Sequence, residues 1–159
     1  MNPTRIDLTP DHREKLCRLL NQRLADTIDL MQQARQAHWN VKGPNFIALH
    51  HLFDEIYSKI AEFVDEVAER IVALGGNAEG RIQFVAKATS LAQYPDGIQG
   101  SQAHLEALAS ALAVYGKAVR EGIDQTDKLG DADSADLLTG VSREIDKYLW
   151  FVEAHLQDA

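Results

Sequence analysis

Apolar residues recur along this chain with the 3.6-residue period of helices buried on one side, and nowhere do β-branched residues alternate long enough for a strand. The pattern predicts an all-α protein. A first helix is expected from about Thr9 or Asp11, where "TPDHREKL" supplies a cap next to a proline, to about His38. Leu16, Leu20, Leu24, Ile28 and Met31 mark its buried stripe. "KGPN" separates it from a second helix, Asn45 to Leu74, which carries Leu49, Phe53, Ile56, Ile60, Phe63, Val67, Ile71 and Leu74 and stops at "GGN". From Ala78 to Gly100 the period loosens around "QYPDGIQG", as expected of a long crossover holding one short helix; such a connection is needed if the long helices flanking it run parallel. Two further helices, Ser101 to Leu129 and Asp133 to Gln157, are divided by "LGDADSAD", in which Gly130 closes one and Asp133 caps the next. Four long helices predict a bundle, a single domain over residues 1–159 with residues 1–10 as a short N-terminal tail.

Composition narrows the function classes. A length of 159 residues with 45% apolar content suits one domain with a real core. Sixteen basic against 24 acidic side chains give a formal charge of -8, which favours cations over the phosphate backbone of nucleic acid. The single Cys17 supports no disulfide framework and reads as a small buried hydrophobe. With no apolar run of signal-peptide or membrane length and a polar N-terminus, a soluble, cytoplasmic chain is expected.

The chemistry lies on the second helix. At 100° per residue, with Leu49 as zero, its apolar stripe falls within about 40°, whereas His50, Asp54, Asp65 and Glu69 fall at about 100°, 140°, 160° and 200°. Ile47, Ala61, Ala68 and Val72 share that second face, so it is not simply solvated. His51, Glu55, Glu62 and Glu66 point further round and read as solvent-facing. The His50/Asp54 and Asp65/Glu69 pairs lie about 22 Å apart along the axis, too far for one ion. Two copies packed antiparallel about a twofold axis near Ser58 to Ala61 bring each pair opposite the other, and His38 from the first helix completes two identical sites of two imidazoles and three carboxylates. Such mixed ligation suits iron, manganese or zinc better than magnesium or calcium. The bland alternative is a set of surface hydrogen bonds within one helix.

"HWNVKGPNFIALHHLFD" followed by "VDEVAERIVALGGNA" resembles both signatures of the Dps family of ferritin-like mini-ferritins. The match fixes His38, Trp39, Gly43, His50, Asp54, Asp65, Glu69 and Arg70 at the family's spacings and extends to "DKYLWFVEAHL". The resemblance implies a ferritin-like four-helix bundle assembling into a hollow dodecamer. It also implies a ferroxidase that oxidises Fe(II), preferentially with hydrogen peroxide, and stores ferric mineral. His38, His50 and Asp54 then come from one subunit, and Asp65 and Glu69 from its twofold partner. Asp131, Asp133 and Asp136 become candidates for lining a cation-admitting threefold pore, beside their plainer role of capping a helix. Trp39 becomes a candidate for intercepting oxidising equivalents, beside plain packing.

One departure bears on partners. Family members that bind DNA directly often carry a lysine-rich tail, whereas "MNPTRIDLTPDHREK" balances Arg5, Arg13 and Lys15 against Asp7, Asp11 and Glu14, and "EAHLQDA" adds no basic residue. Direct DNA binding is therefore not expected, although removal of iron and peroxide protects DNA, even near the nucleoid, without contact. The competing class is a DNA-binding nucleoid structural protein whose metal merely braces its dimer. Larger ferritins build their centre inside one bundle from Glu-x-x-His pairs, and this sequence contains none.

Overall fold

The computed structural model describes residues 1–157; Asp158 and Ala159, the end of the "EAHLQDA" segment, lie outside the described residues. Five helices follow one another: α1 (Pro10–Asn40), α2 (Phe46–Ala73), the short α3 (Ile82–Ala88), α4 (Ser101–Lys128) and α5 (Ala132–Ala154). Thr9 caps α1, its hydroxyl accepting from the His12 amide at 3.3 Å, with Pro10 in the first turn, where a missing N–H costs nothing. α1 runs two residues beyond the expected His38, and α5 stops short of the expected Gln157.

Both glycine stops share one geometry. Gly75 and Gly130 adopt φ of 85° and 76°, and each is followed by paired backward bonds: Gly75 to Val72 and Gly76 to Ile71, Gly130 to Asp127 and Asp131 to Thr126. These are Schellman closures, which need a left-handed residue after the last helical turn.

The direction of each helix follows from its ends. The short turn after α1 makes α2 antiparallel to it. Ser101, opening α4, donates its hydroxyl to the Lys42 carbonyl at 2.8 Å, so α4 starts where α2 starts and runs parallel to it. Arg70 near the end of α2 meets Asp131 at the α4–α5 turn, 2.6 Å away, at the opposite end. The crossover from Leu74 to Gly100 must therefore travel the length of the bundle, as expected for a parallel pair.

All eight residues of the predicted α2 stripe are buried, and Leu16, Leu20, Leu24, Leu108, Leu112, Tyr115, Leu138, Val141 and Ile145 complete the core. In the second half of α1 the core contacts come from Leu30, Ala34 and Ala37, while Ile28 and Met31 are only partly buried. Steps of four residues advance about 40° each, so Ile28 has turned about 120° from Leu16, whereas Leu30 and Ala34 stay within about 40° of it.

The crossover is held by a polar stripe of α1. Gln22 donates to the Ala88 carbonyl at 2.7 Å, Asp26 accepts from the Ser90 amide at 2.7 Å, Asp29 from the Thr89 hydroxyl at 2.7 Å, and Gln33 donates to the Ala92 carbonyl at 3.0 Å. Positions 22, 26, 29 and 33 lie on one helical face, so one row of side chains satisfies a backbone that no helix partner reaches. Among the described residues no helix is long and apolar enough to cross a membrane.

Candidate metal centre

Val41 to Asn45 turn the chain between α1 and α2. Gly43 sits at φ 120°, and its carbonyl accepts from the Phe46 amide at 3.0 Å. This tight reversal sets the last turn of α1 beside the first turns of α2, and His38 and His50 meet there. Their rings stack with centroids 3.8 Å apart and planes 21° from parallel. His38 Nδ1 donates to the backbone carbonyl of His50 at 2.8 Å, and His50 Nδ1 donates to that of His38 at 2.9 Å. The His38 carbonyl belongs to the last turn of α1, which lacks intrahelical donors, so His50 satisfies a helix end as well.

The reciprocal bonds fix each ring. A carbonyl only accepts, so Nδ1 carries a proton and faces the backbone, and Nε2 is left as the ring nitrogen that could take a metal, the usual orientation of a metal-ligating histidine. The Phe46 ring lies 5.2 Å from that of His50, and Trp39, Phe46 and Ile47, neighbours of the pair in sequence, are exposed by 67%, 43% and 61%.

Asp54, one turn beyond His50, faces a different partner. Its Oδ1 accepts from Arg35 Nη1 at 2.7 Å, and the guanidinium lies 3.5 Å above the Tyr57 ring. Asp65 and Glu69 are exposed further along α2. Among the described residues, no group of three His, Cys, Asp or Glu side chains gathers about one point. The chain thus brings His38 and His50 together, turns Asp54 towards Arg35, and leaves Asp65 and Glu69 on the same face of α2 but far from the histidines.

The capping expectation at "GDADSAD" is corrected. Asp131 is the N-cap of α5, accepting from the Ser134 amide at 3.3 Å, and Asp133 lies inside the helix. The Schellman closure of α4 ends on Asp131 itself, so the next helix begins with no spacer. Asp131 is 3% exposed and is held by Arg70 and by the Ser134 hydroxyl. Asp133 is 84% exposed, with Arg70 Nη1 3.7 Å away, and Asp136 is also exposed. Of the three pore candidates, only these two face water.

Sequence reasoning missed Arg35 altogether and gave Arg70 no structural role. The available signal for Arg35 was its spacing of three before His38, which puts both on one face of α1.

Comparison with known proteins agrees with this architecture. The Ferritin-like domain family matches residues 17–159. The chain is 42% identical over 155 residues to the DNA protection during starvation protein of Agrobacterium fabrum, covering 98% of this chain and 96% of that one. It is 37% identical over 143 residues to the protein of the same name from Mycolicibacterium smegmatis, covering 89% and 76%. Among solved structures, the tetragonal form of Mycobacterium smegmatis Dps superposes with a TM-score of 0.94 at 33% identity, covering 99% and 96%. The Vibrio cholerae Dps, described as a member of a broad superfamily of ferritin-like diiron-carboxylate proteins, superposes with a TM-score of 0.90 at 28% identity, covering 99% and 98%. A helical bundle with a long crossover, a matched family domain over most of its length and relatives of this similarity place the chain in the Dps family of ferritin-like proteins.

Proposed function

We propose that the protein is a ferroxidase and iron-storage mini-ferritin that oxidises Fe(II), preferentially with hydrogen peroxide, and keeps the ferric product as mineral inside a hollow dodecamer. DNA is protected because iron and peroxide are removed together. The observation that carries this reading is the reciprocal His38–His50 arrangement, in which the rings stack and each Nδ1 is engaged on a backbone carbonyl, leaving Nε2 of each as the nitrogen for a metal. Asp54 lies one turn away, and Asp65 and Glu69 of the partner subunit complete the donor set across a twofold axis. The absence of any three-donor cluster among the described residues of one chain agrees with a shared site.

Iron is the substrate. The imidazoles favour Fe(II), and the three carboxylates, as hard oxygen donors, favour the Fe(III) that follows. Two Fe(II) each give one electron to one peroxide; its O–O bond breaks, two protons are taken up and two waters form, so no one-electron cleavage releases hydroxyl radical. Zinc or manganese fits the same donor types, but the diiron description of the Vibrio cholerae relative favours iron. Asp133 and Asp136 admit cations at the pore, and Asp131 braces the turn that carries them. Trp39, exposed beside His38, takes up oxidising equivalents that escape the centre.

The test is anaerobic Fe(II) loading of the assembled protein, followed by peroxide or oxygen. Peroxide should oxidise the iron much faster, at about two Fe(II) per peroxide, as two-electron reduction requires. Equal rates would remove the peroxide preference, and no oxidation above the protein-free rate would remove the ferroxidase reading.

A further inference from the structure

Arg35 and His38 stand three residues apart on α1, and His50 and Asp54 four apart on α2, so each pair shares a face. Because the helices are antiparallel, they meet in two layers: His38 against His50, and Arg35 against Asp54. A carboxylate assigned to iron therefore carries a guanidinium instead.

The two partners are held unequally. Arg35 has its planar head 3.5 Å from the Tyr57 ring centroid and its side chain is 21% exposed. Stacking and cation–π attraction keep it there whatever Asp54 does. Asp54 is 48% exposed, and its bond to Arg35 uses Oδ1 alone. Among the described residues, Oδ2 accepts no hydrogen bond. Asp54 is thus the partner free to turn or to be shared.

We propose that Arg35 is a built-in counter-cation for Asp54, a positioning residue that holds the carboxylate ready in the metal-free protein and competes with the metal for it. This rests on the metal-site reading above. A metal taking Asp54 must weaken an existing ion pair and then sit beside a fixed positive charge, so Arg35 lowers metal affinity. What Arg35 provides in exchange is an oriented Asp54 at one rim of the histidine layer before any metal arrives.

The test uses Co(II), which peroxide-free protein does not oxidise, titrated anaerobically into assembled wild type, Arg35→Gln, Arg35→Met, Arg35→Lys and His50→Ala, followed by calorimetry and by the cobalt absorption band. Both neutral variants should bind Co(II) more tightly, by about tenfold or more, because a unit charge a few ångströms from a divalent ion is removed. Arg35→Lys, which keeps the charge, should stay close to wild type. A merely structural Arg35 gives the opposite sign, since its loss then weakens binding. Unchanged or weaker binding in the neutral variants, with His50→Ala still weakening binding about tenfold or more, would overturn the role of Arg35 and leave the metal site standing. Wild-type binding by His50→Ala would overturn the metal site and this inference with it. Failure of both neutral variants to assemble would also overturn it, because the pair would then be a requirement of the fold.

Discussion

His38 and His50 each donate a ring proton to the other's backbone carbonyl, at 2.8 and 2.9 Å, across the turn that joins α1 to α2. Each residue's backbone carbonyl thereby orients the other's ring and occupies its Nδ1, so Nε2 is the nitrogen a metal would take. Replacing either by alanine removes one donor and the ring stacked on the second, although the backbone carbonyl that holds the second remains. His38→Ala and His50→Ala should each weaken Co(II) binding by about tenfold to a hundredfold or more, the range that loss of an orienting partner alone produces. Anaerobic titration of both variants checks this, and a near-normal affinity in either would show that the pair does not act as a unit.

Asp26 gives a separate test of the fold. Its side chain is fully buried; Oδ1 accepts from the Ser90 amide and hydroxyl, and Arg23 lies 3.0 Å from Oδ2. Asp26→Ala leaves Ser90 without its acceptor and Arg23 without its counter-charge, and should cost about 3 kcal/mol. Urea unfolding at fixed subunit concentration measures it. Asp29→Ala, which loses a part-buried contact to Thr89, should cost less.

The aspartates before and within α5 should separate by role. Asp131→Ala removes a helix cap and a buried partner of Arg70, so it should lower stability by about 3 kcal/mol. Asp133→Asn and Asp136→Asn remove exposed charge, should leave stability within about 0.5 kcal/mol, and should slow Fe(II) uptake at low salt. Thermal unfolding and uptake kinetics on the same preparations distinguish the two patterns.

Duplex DNA offers a partner test. With a charge of -8 and a balanced N-terminal segment, the protein should not retard DNA at physiological salt in chelator. Stable retardation under those conditions would reveal a basic surface formed only on assembly.

The fold was legible where one interaction dominates. Along α2 and its C-cap all eight apolar positions of the stripe agree between period and structure, from Leu49 to Leu74, because a single face is buried against one core. Along α1 the stripe is only partly buried at Ile28 and Met31, which pack against the edge of the core, since that helix packs on α2, α4 and the crossover at once and its buried positions spread round it. The histidine pair was placed by spacing across "KGPN", but its reciprocal bonds depend on the turn geometry, which no period encodes. Arg35–Asp54 and Arg70–Asp131 join residues 19 and 61 positions apart and became visible only once the helices were packed. Likewise, "GDADSAD" points to Asp133 as the cap when read as a sequence; the Schellman closure, a backbone event, decides for Asp131.

In the proposed site one subunit supplies His50 and its twofold partner supplies Asp65. His50→Ala and Asp65→Ala should each be nearly inactive as homodimers, since each lesion removes a donor from both sites. Dissociated and reassembled together, they form mixed dimers in which one interface carries both lesions and the other carries neither. Random pairing makes about half the dimers mixed, each with one intact site of two, so about a quarter of wild-type Fe(II) oxidation should return. With mixed dimers proven by mass spectrometry and each variant reassembled with itself as the control, recovery near that level is the predicted result; no recovery above the controls would contradict a site shared between subunits.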